Sequence, residues 1–174
     1  MRRLAIVLLG IILLSPACFA LQLPAEWRDQ LVDQLAGKWK LEGTVMGKAA
    51  HHEVTADWVL NTQFLRLHEK TSPTAPKGEQ PYEAYWFLGY DSVSERYVLH
   101  LMDVFGARSS ETLGYGVRDG DEIRFTFEYP DGPFHTVFEW QPESGSWRWT
   151  MEQKNKAGKW APFADLKLTR MVYP

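Results

Sequence analysis

The sequence has a single cysteine, Cys18, and it falls among the first twenty of 174 residues. A chain with no second thiol builds no internal disulfide framework and no cysteine-rich metal centre. Positive charge is not in excess: 19 Lys and Arg stand against 22 Asp and Glu, a net charge of −3. That balance argues against nucleic acid or an anionic membrane surface as a partner. No apolar run reaches the length of a bilayer span. There is no Gly-x-Ser-x-Gly, no Gly-rich phosphate loop, and no thiol nucleophile beyond Cys18. No catalytic residue is therefore announced by a motif.

The first twenty residues read as a separate unit. Arg2 and Arg3 open it, Leu4 to Leu14 is almost wholly apolar, and Ser15-Pro16-Ala17-Cys18-Phe19-Ala20 ends on a small residue. This is the pattern of a secretory signal peptide, 1–20, with cleavage expected after Ala20 and a secreted or periplasmic domain over 21–174. Lipidation at Cys18 is the alternative, and Ser15 and Pro16 give it a weak context. Loss of the leader leaves 154 residues with 17 basic and 22 acidic side chains, a net charge of −5. A chain of that length buries an adequate core without disulfides, and it carries no membrane span.

What the rest contains is alternation. One helix is expected, Pro24 to Leu35, with Trp27, Leu31 and Leu35 on one stripe and Gly37 as its left-handed end. After Gly37 the apolar residues recur with period two. Trp39, Leu41 and Val45 share a face, as do Val54, Ala56, Trp58 and Leu60. Further strands are expected over Phe64–Thr71, Tyr82–Tyr90, Arg96–Val104, Ser109–Val117, Ile123–Tyr129, Phe134–Gln141, Trp147–Lys154 and Trp160–Val172. Turn chemistry separates them at Arg118-Asp119-Gly120-Asp121, Tyr129-Pro130-Asp131-Gly132 and Glu143-Ser144-Gly145-Ser146. The longest connector, Ser72 to Pro81, is expected to be mobile. About ten antiparallel strands joined by short links resolve their edges by closing, which predicts an all-β, up-and-down barrel. A two-sheet sandwich is the alternative.

Gly37-Lys38-Trp39 after a short helix, with Thr169-Arg170 in the last strand, resembles the calycins, the lipocalins and their relatives. There a Gly-x-Trp opens the first strand and a late Arg packs over the indole. Leu88-Gly89-Tyr90-Asp91, the aromatic-containing strand Arg96 to Asp103 followed by Phe105-Gly106, and the ending Leu168 to Tyr173 resemble a large bacterial family of lipocalin-like domains of unknown function. The resemblance runs from Leu35 to Tyr173. It implies a barrel with a ligand and brings no reaction. It also implies that Trp39 and Arg170 form a barrel-end pair by cation–π stacking.

The candidate cavity residues are Trp58, Glu69, Trp86, Asp103, Glu111, Tyr115, Phe127, Tyr129 and Trp149. Period two places Asp103 on the face of Tyr97, Leu99 and Leu101, Glu69 on that of Leu65 and Leu67, and Glu111 on that of Leu113 and Tyr115. Interior carboxylates need partners or water, and they give a polar end to an apolar cavity. His51 and His52 are adjacent, point to opposite faces of a strand and sit near a turn, so a solvated pair is expected rather than a metal site. Haem-binding ten-stranded relatives use a late His. The late one here, His135, lies on the face opposite Phe134, Phe138 and Trp140, so no cofactor is expected. The favoured function is non-catalytic binding of a small apolar or amphipathic molecule. An enzyme using Asp103 or Glu111 as general acid or base and a filled barrel that binds protein are the alternatives. The ligand's identity and the oligomeric state are not encoded in any motif.

Overall fold

The computed structural model describes residues 27–106, 113–155 and 157–171. Residues 1–20, expected to be a leader, lie outside these residues, as do Glu111 and Tyr173. One helix, α1 (Gln30–Leu35), precedes ten strands. These are β1 (Gly37–Val45), β2 (Lys48–Val59), β3 (Phe64–Thr71), β4 (Glu83–Asp91), β5 (Arg96–Asp103), β6 (Leu113–Asp119), β7 (Glu122–Tyr129), β8 (Gly132–Gln141), β9 (Ser146–Lys154) and β10 (Trp160–Arg170). Every consecutive pair is antiparallel, and β1 closes on β10, so the sheet is a barrel with no free edge.

Closure is set by the register Trp39↔Arg170, Leu41↔Leu168 and Gly43↔Leu166. At Gly43 a Cβ would lie 2.1 Å from the Asp165 carbonyl oxygen, so a side chain there would force β1 away from β10. The expected alternation fills the interior: Trp39, Leu41, Leu65, Leu67, Leu88, Leu99, Phe125, Phe138, Trp147 and Trp149 are fully buried.

Three local expectations change. The described helix starts at Gln30, with residues 27–29 outside it, because Asp29 is its N-cap: in extended conformation it accepts from the Leu31 and Val32 amides at 2.7 and 3.2 Å, and the expected start at Pro24 lies outside the described residues. Gly37 does not end the helix; Ala36 does, in extended conformation. Gly37 instead opens β1 at φ +131°, where a Cβ would sit 2.6 Å from Arg170 Nη1. And β2 begins at Lys48, so His51 and His52 lie within a strand.

The two barrel ends differ. At one, α1 lies across the opening: Leu31, Val32 and Leu35 are buried, Trp27 packs against Trp58, Tyr90 and Tyr97, and the Trp58 indole N–H donates to Asp33 at 3.0 Å. Arg170 stacks its guanidinium 4.2 Å above the Trp39 ring and donates to the Ala36 and Gln34 carbonyls, while the Trp39 indole N–H donates to the Leu35 carbonyl at 2.7 Å. One Arg thus joins the helix's last carbonyls to the first and last strands. The opposite end carries the β1–β2, β3–β4, β5–β6, β7–β8 and β9–β10 connections.

Candidate functional site

The register places interior side chains in levels. Near the end opposite α1, Val54 pairs with Glu69, Glu69 with Ala84 and Ala84 with Asp103. Glu69 and Asp103 therefore share one level of the inner wall, with only the methyl group of Ala84 between them. One step farther from α1 stands His52, on the inner face two residues before Val54.

Glu69 is the hub. It is 4% exposed, and both oxygens are engaged: Oε1 lies 2.7 Å from His52 Nδ1, and Oε2 accepts the Trp86 indole N–H at 3.0 Å. An indole nitrogen only donates, so Glu69 is the acceptor there. With a carboxylate at Oε1, His52 carries its proton on Nδ1. His52 itself is 7% exposed, not solvated, and Tyr82 stacks on its ring at 5.5 Å. The Tyr82 hydroxyl reaches toward Asp103 Oδ2 at 3.5 Å, the edge of hydrogen-bond range. Burial, and then the charges of Glu69 and Asp103, push this phenol far above its ordinary pKa, so it is a neutral donor. Asp103 is half-buried, and its Oδ1 accepts the Phe105 amide at 2.9 Å.

Aromatic rings wall this polar group. Trp86 meets Trp149 edge-to-face at 5.0 Å, and Trp149 stacks on Phe138 at 4.5 Å while its N–H donates to Thr136. Phe127 stacks with Tyr129 at 5.8 Å, and Tyr129 meets Phe134 at the same distance. Glu69, Trp86, Asp103, Phe127, Tyr129 and Trp149 are thus all on the inner wall.

Two candidates lie elsewhere. Trp58 belongs to the α1 end, beneath Trp27 and bonded to Asp33. Tyr115 is on the outer face, 40% exposed, with the Arg96 guanidinium 3.5 Å above its ring. The inner positions of β6 are Gly114 and Gly116, where a Cβ would come within 2.6 Å of the Phe127 ring and 2.5 Å of the Phe125 ring. Two phenylalanines on β7 fill the space that side chains on β6 would need, and this reverses the inside and outside of that strand. Glu111 falls outside the described residues.

Three residues join the site without having been candidates: His52, Tyr82 and Glu79. His52 had a signal, since the alternation Trp58, Ala56, Val54 runs back to it. Glu79 had none. It sits in the β3–β4 connector, which is anchored rather than loose: its carboxylate accepts the His51 amide at 2.8 Å and lies 2.9 Å from His51 Nδ1. Burial opposes the charge of Glu79, but the bonds from His51 and the charges of His51 and His52 outweigh it and hold the carboxyl below its ordinary pKa. Among the described residues no group of three or more His, Cys, Asp or Glu is placed to hold a metal ion.

A model of the family described as "Protein of unknown function (DUF1579)" matches residues 25–170, from just before α1 to the last residue of β10. The chain belongs to the DUF1579 family. No curated protein matches it. The match spans all ten strands and both halves of the site, so in this family member the closing pair Trp39–Arg170 and the interior group Glu69, Trp86 and Asp103 fall within the family's extent.

Proposed function

We propose that the chain is a secreted or periplasmic, lipocalin-like protein that binds a small apolar or amphipathic molecule without catalysis, through the barrel end opposite α1. The observation that supports this most is the His52–Glu69 pair. Taking an imidazole and a carboxylate out of water costs several kcal/mol unless partners compensate, on the order expected for buried ions. Barrel closure runs through the backbone ladder between β1 and β10, to which neither of these side chains contributes a bond. A few convergent polar groups beneath an aromatic wall are the composition of a small-molecule site. The ligand's apolar body would lie against the half-buried rings of Tyr129 and Phe134, and its polar group would meet His52, Tyr82 and Asp103. The lipocalin likeness is supported by the Gly37–Trp39–Arg170 arrangement under a short N-terminal helix. Secretion is supported by the leader pattern of residues 1–20.

One observation favours a second reading, an enzyme with an interior acid or base. Asp103 is half-buried, and among the described residues it forms no salt bridge. The two readings separate on Asp103→Asn, which keeps shape and removes charge. In a binding protein the affinity for the neutral probe N-phenyl-1-naphthylamine, read by quenching of the interior tryptophans, should shift by no more than about 1–3 kcal/mol. In an enzyme, turnover should fall by roughly 10²–10⁴-fold with binding little changed. If the folded wild-type protein binds no probe, the binding proposal is wrong, and the filled-barrel alternative takes its place.

A further inference from the structure

The β3–β4 connector carries Pro73, Pro76, Gly78 and Pro81. Main-chain bonds fasten its two ends: the Thr71 amide donates to the Tyr82 carbonyl at 2.9 Å, and the Ser72 amide to the His51 carbonyl at 2.8 Å. Between them the chain makes local turns, Ala75 to Ser72 and Glu79 to Pro76. The side chain that reaches back to the barrel wall from its far part is that of Glu79.

What Glu79 reaches is a notch with three nitrogens. Strand β2 runs past the end of β3, so the His51 amide has no strand partner on that side. It donates to Glu79 Oε1 at 2.8 Å; His51 Nδ1 lies 2.9 Å from Oε2, and His52 Nε2 lies 3.6 Å from Oε1. The notch straddles the strand, with one ring on the outer face and one on the inner. The Glu79 side chain that fills it is 12% exposed.

We infer that this notch is a carboxylate-binding site, filled in the present structure by the protein's own Glu79, and that an amphipathic ligand bearing a carboxylate takes Glu79's place. The inference rests on the small-molecule binding proposed above and names the ligand's head group. Three arguments carry it. The donors aimed at this carboxylate are the His51 main-chain N–H and the His51 Nδ1 edge, a converging pair that suits a carboxylate. His52 faces a carboxylate at each nitrogen, Glu69 at 2.7 Å and Glu79 at 3.6 Å. A ligand's carboxylate in Glu79's place stands at the same distance from His52 Nε2, so the exchange leaves the surroundings of that ring unchanged. And Glu79 rides on a connector outside the strand ladder, so its release breaks the bonds of one side chain and no sheet pairing. His52 is at once the inner edge of the notch and the residue on which Tyr82 stacks, so a head group in the notch directs its tail toward the Tyr82 ring.

The test uses the mature chain, wild type and Glu79→Gln, with decanoate and the uncharged decanol as probes, each followed by tryptophan fluorescence and calorimetry. Glu79→Gln keeps the shape of the occupant and removes the charge that competes. Affinity for decanoate should rise by about tenfold, the worth of one charge-assisted contact, while decanol changes by less than about threefold. An equal gain for both probes makes Glu79 a simple door and overturns the inference. No change for either, with both binding, overturns it and leaves small-molecule binding intact. If neither binds to either folded protein, both proposals fail. A second measurement is independent of any variant: in the wild type, the imidazole ¹⁵N signals of His51 and His52 should move with decanoate and stay put with decanol. If they do not move when decanoate saturates the protein, the notch is not its site.

Discussion

Arg118 holds Asp29 from 89 residues away in the chain, its Nη1 lying 2.9 and 3.0 Å from the two carboxylate oxygens. The same carboxylate caps α1 and accepts the Tyr97 hydroxyl at 2.5 Å. A six-residue helix is too short to persist alone. Asp29 therefore does two things at once, ending the helix's orphan amides and tying it to β5 and β6.

That double role predicts an acid-sensitive cap. Burial alone would raise the Asp29 carboxyl; the bonds from Tyr97, Val32 and Leu31 and the charge of Arg118 outweigh it and hold it below the ordinary carboxylate pKa. A carboxyl depressed in the folded state adds stability that is present above about pH 4 and is lost as pH falls through its folded value. Urea midpoints of wild type and Asp29→Asn, measured from about pH 7 down to about pH 2.5, should differ most at the upper end and converge below about pH 4. A gap that stays constant to the acid end would assign Asp29 a purely steric role.

The barrel-end pair predicts coupling. Trp39 is fully buried, and Arg170 lies over it while also holding two helix carbonyls. Trp39→Ala should cost about 3–5 kcal/mol, as expected for a large buried aromatic. Arg170→Ala should cost less, and the double variant should lose less than the sum. Gly37→Ala places a β-carbon at φ +131° against the same guanidinium, so it should cost about 1–3 kcal/mol from backbone strain. Combined with Arg170→Ala, which removes the clash but not the strain, only part of that loss should be recovered. Simple additivity throughout, read from chemical denaturation, would mean that the two side chains touch without cooperating.

Period two carried the architecture, because a strand with one buried face writes its fold into every second residue. That is why the ten strands and the inner placement of Glu69, Trp86 and Asp103 were legible. It failed where the signal was absent or non-local. On β6 the inner residues are glycines, which have no hydrophobicity to read, and the phase is set by Phe125 and Phe127 on the next strand. The alternation of β2 ran back to His52, but a turn assigned too close to that residue hid it. Glu79 was invisible for another reason: a connector has no period, and its contact with His51 depends on how three prolines and a glycine bend the chain. The interior polar group was thus half legible, its acids from strand parity and its histidine and latch only from the folded chain.

The last prediction concerns Glu69, which answers two obligate neighbours. Glu69→Ala leaves the His52 and Trp86 N–H groups buried without an acceptor, and should cost about 3–5 kcal/mol, the scale for breaking one side of a buried pair. Glu69→Gln should cost less, about 1–3 kcal/mol, because an amide can satisfy both neighbours in one arrangement. The Trp86 indole can only donate, so the amide oxygen must face it. The amide NH₂ then faces His52 Nδ1, which must become the acceptor, and the His52 proton moves to Nε2, toward Glu79. Imidazole ¹⁵N chemical shifts read that tautomer directly: in Glu69→Gln the protonated-type signal should belong to Nε2, with Nδ1 shifted to the unprotonated range. Equal destabilisation by the two variants, or His52 signals unchanged between wild type and Glu69→Gln, would show that Glu69 does not set the proton position of His52 and is not the hub of the interior group.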